Sequence, residues 1–263
     1  MHTQTTRHIH PDPPVRAHMP LLVSVDETSS STLATRLNRA GLALGAAVRW
    51  GSESACASVL ERRPAMILLD VPTTEADGLA RLVRAASLIA PVAVLRHQGR
   101  DAVAAFSAGA FDVLDRQRPA AELAWRIHAD LRRRPTVPAP RGPAGSTASQ
   151  RLLFEVIARA QAPVCCHHLR LLLGTPCLPM TLRALKARIQ RLLPVFADHG
   201  LALIVDQQWG LATYRARTAD APGADPLQHA QGAGQPSHAA CRDSSSGGAQ
   251  PHVGSDSDVT IQT

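Results

Sequence analysis

Aromatic residues are scarce in this chain: three Trp, one Tyr and four Phe make up 3% of its 263 residues. Its cores must therefore be built from aliphatic side chains, and the 45% apolar content is mainly Ala, Leu and Val. Lysine is almost absent, since Lys186 is the only one among 28 basic residues. No apolar run approaches the roughly 20 residues needed to cross a bilayer. The N-terminal MHTQTTRHIHPDPP lacks the apolar centre of a secretory signal. A cytoplasmic protein with no membrane partner is expected. Five cysteines, an odd number, argue against a disulfide framework. A Gly-rich phosphate loop and a nucleophile elbow are both missing, which excludes the commonest routes to nucleotide hydrolysis and acyl transfer.

What is present is organised unevenly. The length suits two small domains. Residues 20–134 carry 15 basic against 12 acidic side chains, residues 151–217 nine against three, and residues 218–263 one against five. A compact segment of net +6 calls for an anionic partner, of which nucleic acid is the commonest. The stretch at 135–149, PTVPAPRGPAGSTAS, has the composition of a linker. The arm 1–19 and the tail 218–263 are expected to be disordered. The acidic tail is either a solubilising segment or a competitor of DNA for the basic segment.

Within 20–134, short apolar runs alternate with amphipathic stretches. Strands are expected at 21–25, 46–50, 66–69, 91–95 and 112–114, with helices at 32–43, 52–62, 78–88, 102–108 and 120–134. Continuous apolar strands alternating with helices predict an α/β doubly wound, five-stranded parallel sheet covered on both faces. In such a sheet functional groups gather at the carboxyl ends of the strands. Asp26 and Glu27 follow the first strand, Asp70 the third, Arg96 the fourth, and Asp115 and Arg116 the fifth. Clustered carboxylates there suit Mg²⁺, and one carboxylate can accept a phosphoryl group.

The stretch MILLDVPTTEADGL (Met66–Leu79), with FSAGAFDVL and ELAWRIHADLRR further on, resembles the response-regulator receiver family. The resemblance covers residues 20–134 and places Asp70 at the phosphoacceptor position. It also implies an acidic pocket at Asp26 and Glu27, with Mg²⁺ as cofactor if that pocket functions. The departures are these: the two acidic positions after the first strand fall on Val25 and Asp26, with Glu27 next; Arg96 replaces a Ser or Thr; Arg116 replaces a Lys and Gln117 the Pro after it; and Val113 replaces the switch aromatic. Two readings of Asp70 follow. Either it is phosphorylated by a sensor histidine kinase, or the domain is a pseudo-receiver that answers to a protein or small ligand. In the second, Arg96 is expected to pair with Asp70 and mimic part of an activated state. In the winged-helix branch of the family, receivers dimerise through charged pairs on the fourth helix, fifth strand and fifth helix. Asp101, Asp112, Glu122 and Arg126 match that pattern, so a homodimer is expected.

The segment 150–217 reads as helix (152–160), helix (165–174), basic helix (180–193, limited by Pro194) and a hairpin of strands at 201–205 and 211–214. In the third helix Leu182, Leu185, Ile189 and Leu192 repeat at three- and four-residue spacing. The remaining faces hold Thr181, Arg183, Lys186, Arg188 and Arg191, forked donors suited to guanine edges and phosphates. The order is that of a winged helix-turn-helix and resembles the DNA-binding domain of the same (OmpR/PhoB-like) branch. Gln208 or Trp209 in the hairpin would touch the minor groove or the backbone. The expected function is sequence-specific binding of double-stranded promoter DNA, with RNA polymerase as a further partner; the rival is an adaptor whose basic helix binds an acidic protein. Cys165, Cys166, His167 and His168 are consecutive, and on one helix four such residues cannot all face one metal ion. No metal site and no enzymatic activity are expected, apart from self-phosphorylation of Asp70.

Overall fold

The computed structural model describes residues 19–25, 27–71, 75–96, 101–133, 146–208 and 211–219, all within one compact unit. Most of the expected arm, linker and tail therefore lies outside the described residues. The first half runs β1 (Leu21–Ser24), α1 (Glu27–Arg39), β2 (Val48–Arg49), α2 (Glu53–Arg62), β3 (Ile67–Asp70), α3 (Ala76–Ser87), β4 (Val92–Arg96), α4 (Ala102–Ser107), β5 (Asp112–Asp115) and α5 (Ala120–Arg132). Its five strands are parallel in the order β2-β1-β3-β4-β5, the doubly wound order of flavodoxin-like sheets.

Strand residues alternate between two apolar layers, as the two-residue period of a strand requires. Leu21, Val23, Ile67, Leu69, Val92 and Val94 face the layer that holds Val59, Leu79 and Val83. Leu22, Leu68, Ala93, Leu95 and Leu114 face the layer that holds Leu33, Leu37, Leu123 and Ile127. Helix α1 starts before the expected Thr32 and ends earlier, because Gly41 takes a left-handed φ of +88° and Leu42 N–H returns to the Leu37 carbonyl.

The second half runs α6 (Ala148–Arg159), β6 (Val164–Cys165), α7 (Cys166–Leu172), α8 (Leu182–Asp198), β7 (Leu201–Gln208) and β8 (Leu211–Thr218), with a three-stranded antiparallel sheet β6-β8-β7. Helix α8 runs through Pro194 instead of stopping there. Proline forfeits one N–H, yet it stands on the exposed face, while Phe196 is fully buried and the carbonyls of Val195 and Phe196 accept the N–H of His199. Burial of Phe196 against Phe154, at 4.7 Å between ring centroids, holds the last turn in place.

The two halves share one apolar core, with α6 and α7 packed on α2 and α3. Trp50 Nε1 donates to the Leu171 carbonyl at 2.9 Å, and Ser149 N–H donates to Glu53 Oε1 at 3.1 Å. Arg63 reaches the buried carboxylate of Glu155 at 3.6 Å. Gly51, at φ +70°, lies so close to the Gly174 carbonyl that a Cβ would come within 1.9 Å of it. No side chain other than hydrogen fits that contact.

Candidate functional site

The carboxyl edge of the parallel sheet brings Asp70, Arg96, Asp101, Asp115 and Arg116 together. Asp70 ends β3 and is fully buried. Arg116, in the turn after β5, donates through Nε to Asp70 Oδ1 at 2.8 Å and through Nη2 to Oδ2 at 3.3 Å. This two-point pairing is the strong geometry for a guanidinium and a carboxylate.

Arg96 does not pair with Asp70, contrary to the sequence reading. Its Nη2 lies 3.0 Å from Asp101 Oδ2, and its side chain is 7% exposed. The reason is strand alternation. Asp70 is in register with Leu95, so both point to the face covered by α1 and α5. Arg96 comes one residue later and points to the opposite face, where Asp101 stands just before α4. Leu114 also faces α1 and α5, so Arg116, two residues on, comes up beside Asp70. Asp101 holds its position with a left-handed φ of +59°, a conformation Asp tolerates better than most residues. Nε and Nη1 of Arg96 are buried without a hydrogen-bond partner.

Asp26 and the side chain of Glu27, the acidic pocket expected from the sequence, lie outside the described residues. Among the described residues no group of three His, Cys, Asp or Glu side chains is placed to hold a metal. Val113 sits partly buried against the core opposite Val94, with no ring or hydroxyl to reorient.

The four residues expected at a dimer face are each paired within the chain. Arg126 Nη2 reaches both Asp112 oxygens at 2.8 and 2.9 Å, Arg118 lies 3.8 Å from Glu122, and Asp101 pairs with Arg96. Beside them stand apolar side chains that sequence reasoning passed over: Val103, Phe106 and Trp125 are exposed on α4 and α5. Their only signal was an apolar residue out of step with the helical period. Asp130, one turn beyond Arg126, was also missed. Burial, reinforced by the charge of Asp112, pushes its carboxyl above the ordinary Asp range, and its Oδ2 has no hydrogen-bond partner.

In the second half α8 buries Leu185, Ile189, Leu192 and Phe196, and turns Arg183, Lys186, Gln190 and Arg191 to water. Thr181 caps the helix by accepting from Ala184 N–H at 3.2 Å. Arg188 departs from the expected outward face: its Nη1 donates to Ser149 Oγ at 2.7 Å, so it ties α8 to the start of α6. One hundred degrees per residue places position 188 at the flank of the apolar stripe, where a long side chain reaches the neighbouring helix. The side chain of Gln208, and Trp209 whole, lie outside the described residues. Cys165 and Cys166 are buried, while His167 is exposed and His168 half-buried. Burial raises the Cys166 thiol, and burial with the charge of Glu53 raises Cys56 to about 11. At about 11 the Cys56 thiol is protonated and inert at neutral pH.

No family model and no curated protein matches the chain. Solved structures do match. A candidate response regulator from Chloroflexus aurantiacus J-10-fl is 26% identical, with a TM-score of 0.34 over 44% of this chain and 99% of that one. An atypical orphan response regulator, described with a phosphorylation-independent regulatory mechanism, is 18% identical, with a TM-score of 0.33 over 45% of this chain and 100% of that one. The signal receiver domain of NarL from Mycobacterium tuberculosis is 18% identical, with a TM-score of 0.34 over 44% of this chain and 98% of that one. The doubly wound parallel fold of the five-stranded half rests on its own strand order, β2-β1-β3-β4-β5. Among the described residues no helix is long and apolar enough to cross a membrane.

Proposed function

We propose that this chain is a DNA-binding transcription regulator whose receiver-like half is a phosphorylation-independent scaffold. The observation that carries the first part is the division of α8 into two faces. Its apolar stripe is spent on the core, and Arg183, Lys186 and Arg191 stand exposed on the rest. Followed by the hairpin β7–β8, this supports reading the second half as a winged helix-turn-helix, a motif whose third helix enters a major groove. Guanidinium forks suit guanine edges and phosphates.

The second part rests on Asp70. A phosphoryl donor must reach a carboxylate that is fully buried and held at both oxygens by Arg116. The switch residues that would read the modification are Val113, which has no polar group, and Arg96, which is bound to Asp101. Phosphorylation by a histidine kinase remains the second reading, favoured by Arg116 itself, because a cation beside the acceptor also steadies an acyl phosphate. A homodimer through α4, β5 and α5 goes with either reading, its apolar centre being Val103, Phe106 and Trp125. Two winged helices on one dimer would then meet half-sites of fixed spacing, close to RNA polymerase.

The test is the affinity of Arg183→Ala/Lys186→Ala for the DNA upstream of the protein's own coding sequence. Loss of binding with an unchanged melting temperature is the expected result. Undiminished binding sinks the recognition-helix assignment.

A further inference from the structure

Three helices drawn from both halves meet at one small side chain, Ser149, the second residue of α6. It is only 6% exposed. Its N–H belongs to the first turn, where a helix has no internal acceptor to offer. Glu53 Oε1, in the first turn of α2, supplies one at 3.1 Å. The Ser149 hydroxyl oxygen accepts from Arg188 Nη1 of α8 at 2.7 Å and stands 3.3 Å from Thr147 Oγ1, the residue that caps α6. A carboxylate of the first half therefore reaches, through a single serine, an arginine in the middle of α8.

Arg188 has two places to go. It is half-buried on the flank of α8, between the apolar stripe and the exposed face that carries Arg183, Lys186 and Arg191. With an acceptor inside, its guanidinium is held against α6. Without one, a long and flexible stem would carry the charge out to water and add a cation to the exposed face. Glu53 favours the inward position twice, by fixing the serine and by placing a negative charge nearby. The buried thiol of Cys56 feels both charges, raised by Glu53 and lowered by Arg188, so the two lie within electrostatic reach of one side chain.

The start of α8 is tied to the same stretch of the first half. Trp50 donates to the Leu171 carbonyl, and Gly51 abuts Gly174, which fixes the end of α7. From α7, Arg170 Nε donates to the Met180 carbonyl at 2.6 Å, and Met180 N–H donates back to the Arg170 carbonyl at 3.0 Å. Residues 50–53 thus hold α8 at its start through α7 and at its middle through Ser149.

We infer that Glu53 and Ser149 are positioning residues for DNA recognition: by holding Arg188 inward they fix the roll of α8, so the receiver-like half sets which side chains meet the bases and keeps one cation away from the phosphates. The inference rests on the DNA-binding function proposed above. Its test uses the full-length protein, Glu53→Ala, Glu53→Gln, Ser149→Ala and Glu53→Ala/Arg188→Ala. Each is titrated with two duplexes, the DNA upstream of the protein's own coding sequence and a random sequence of equal length. Glu53 is exposed, so its replacement leaves the core intact. In Glu53→Ala and Ser149→Ala the preference for upstream over random DNA is expected to fall at least about fivefold. The salt slope on random DNA is expected to steepen by about 1 as Arg188 turns outward. Glu53→Gln keeps an oxygen for Ser149 N–H and is expected to hold the parent's preference. Glu53→Ala/Arg188→Ala has no cation to release and is expected to show the parent's slope. A merely structural role would weaken both duplexes together at an unchanged slope, and that result overturns the proposal. So does a preference that Glu53→Ala leaves intact. Amide hydrogen exchange at residues 185–192, without DNA, is expected to quicken in Glu53→Ala and Ser149→Ala. If it quickens while the parent itself does not prefer upstream DNA, the hold on α8 stands and the DNA-binding reading falls. Unchanged exchange overturns the proposal whatever the DNA result.

Discussion

The carboxyl edge of the five-stranded sheet and the outer face of α8 use the same residue type in opposite ways. At the sheet edge Arg96 and Arg116 are nearly enclosed and each is spent on a carboxylate, Asp101 and Asp70. Along α8, Arg183, Lys186 and Arg191 are exposed and no salt bridge joins them to an acidic residue among the described residues. An enclosed ion pair is a structural commitment, because either partner alone would be a stranded charge. An exposed cation with no carboxylate partner costs the fold nothing and stays available to an outside anion, Arg191 giving only its Nε to the Ala187 carbonyl at 3.2 Å. Charge placement separates what holds this molecule in shape from what it presents to others. Arg188 shows that the boundary runs through a single helix, since it belongs with the structural set although its neighbours do not.

The sharpest way to break the comparison is Arg116→Ala. It removes the two-point partner of the buried Asp70 carboxylate and is expected to cost about 3–5 kcal/mol in chemical denaturation. Asp70→Asn/Arg116→Gln, which removes both charges, is expected to recover most of that loss. A single variant as stable as the parent would show that the pair is not enclosed in solution. On α8 the expected effect is on binding. Arg183→Ala and Lys186→Ala should each cost about 1–3 kcal/mol of DNA affinity and, where the contact is to phosphate, lower the salt slope by about 1. Arg188→Ala should leave that slope alone and lower stability instead, by about 1 kcal/mol for the lost bond to Ser149. The junction of the halves gives an effect of similar size: Trp50→Phe removes the donor to Leu171 and is expected to cost about 1–2 kcal/mol in a single cooperative transition. Two separate transitions would contradict a shared core.

The smallest expected effect is the pH dependence of Asp130. Its folded-state carboxyl titrates above the unfolded value, so the folded state favours the proton. Its stabilising contribution is present below the unfolded pKa and is lost as pH rises through the folded one. Asp130→Asn is therefore expected to raise stability near neutral pH and to give no gain in acid. A gain that persists in acid would assign the effect to something other than the carboxyl charge.

The alternation of strands and helices in the first half was legible because period-2 burial and helical spacing of Leu are local signals. Asp70 was legible for the same reason, as a carboxylate closing an apolar strand. What could not be read was which arginine reaches it. That depends on the register between three strands and on a one-residue change of face between Leu95 and Arg96. The inward turn of Arg188 likewise depends on where α6 packs, not on α8 alone. Strand β6 went unread because two residues show no period. Helix α8 outran its expected end because a buried Phe196 outweighed a proline.

The measurement that goes most directly to the division between enclosed and presented charge is DNA affinity across a salt series. It would compare the full-length protein with and without a small phosphodonor, Asp70→Asn, and Arg183→Ala/Lys186→Ala. Equal and salt-dependent binding by the first three, with the double variant lost, is the expected result. Binding that tightens with the phosphodonor and only when Asp70 is present would contradict it, and would make the buried pair a switch after all.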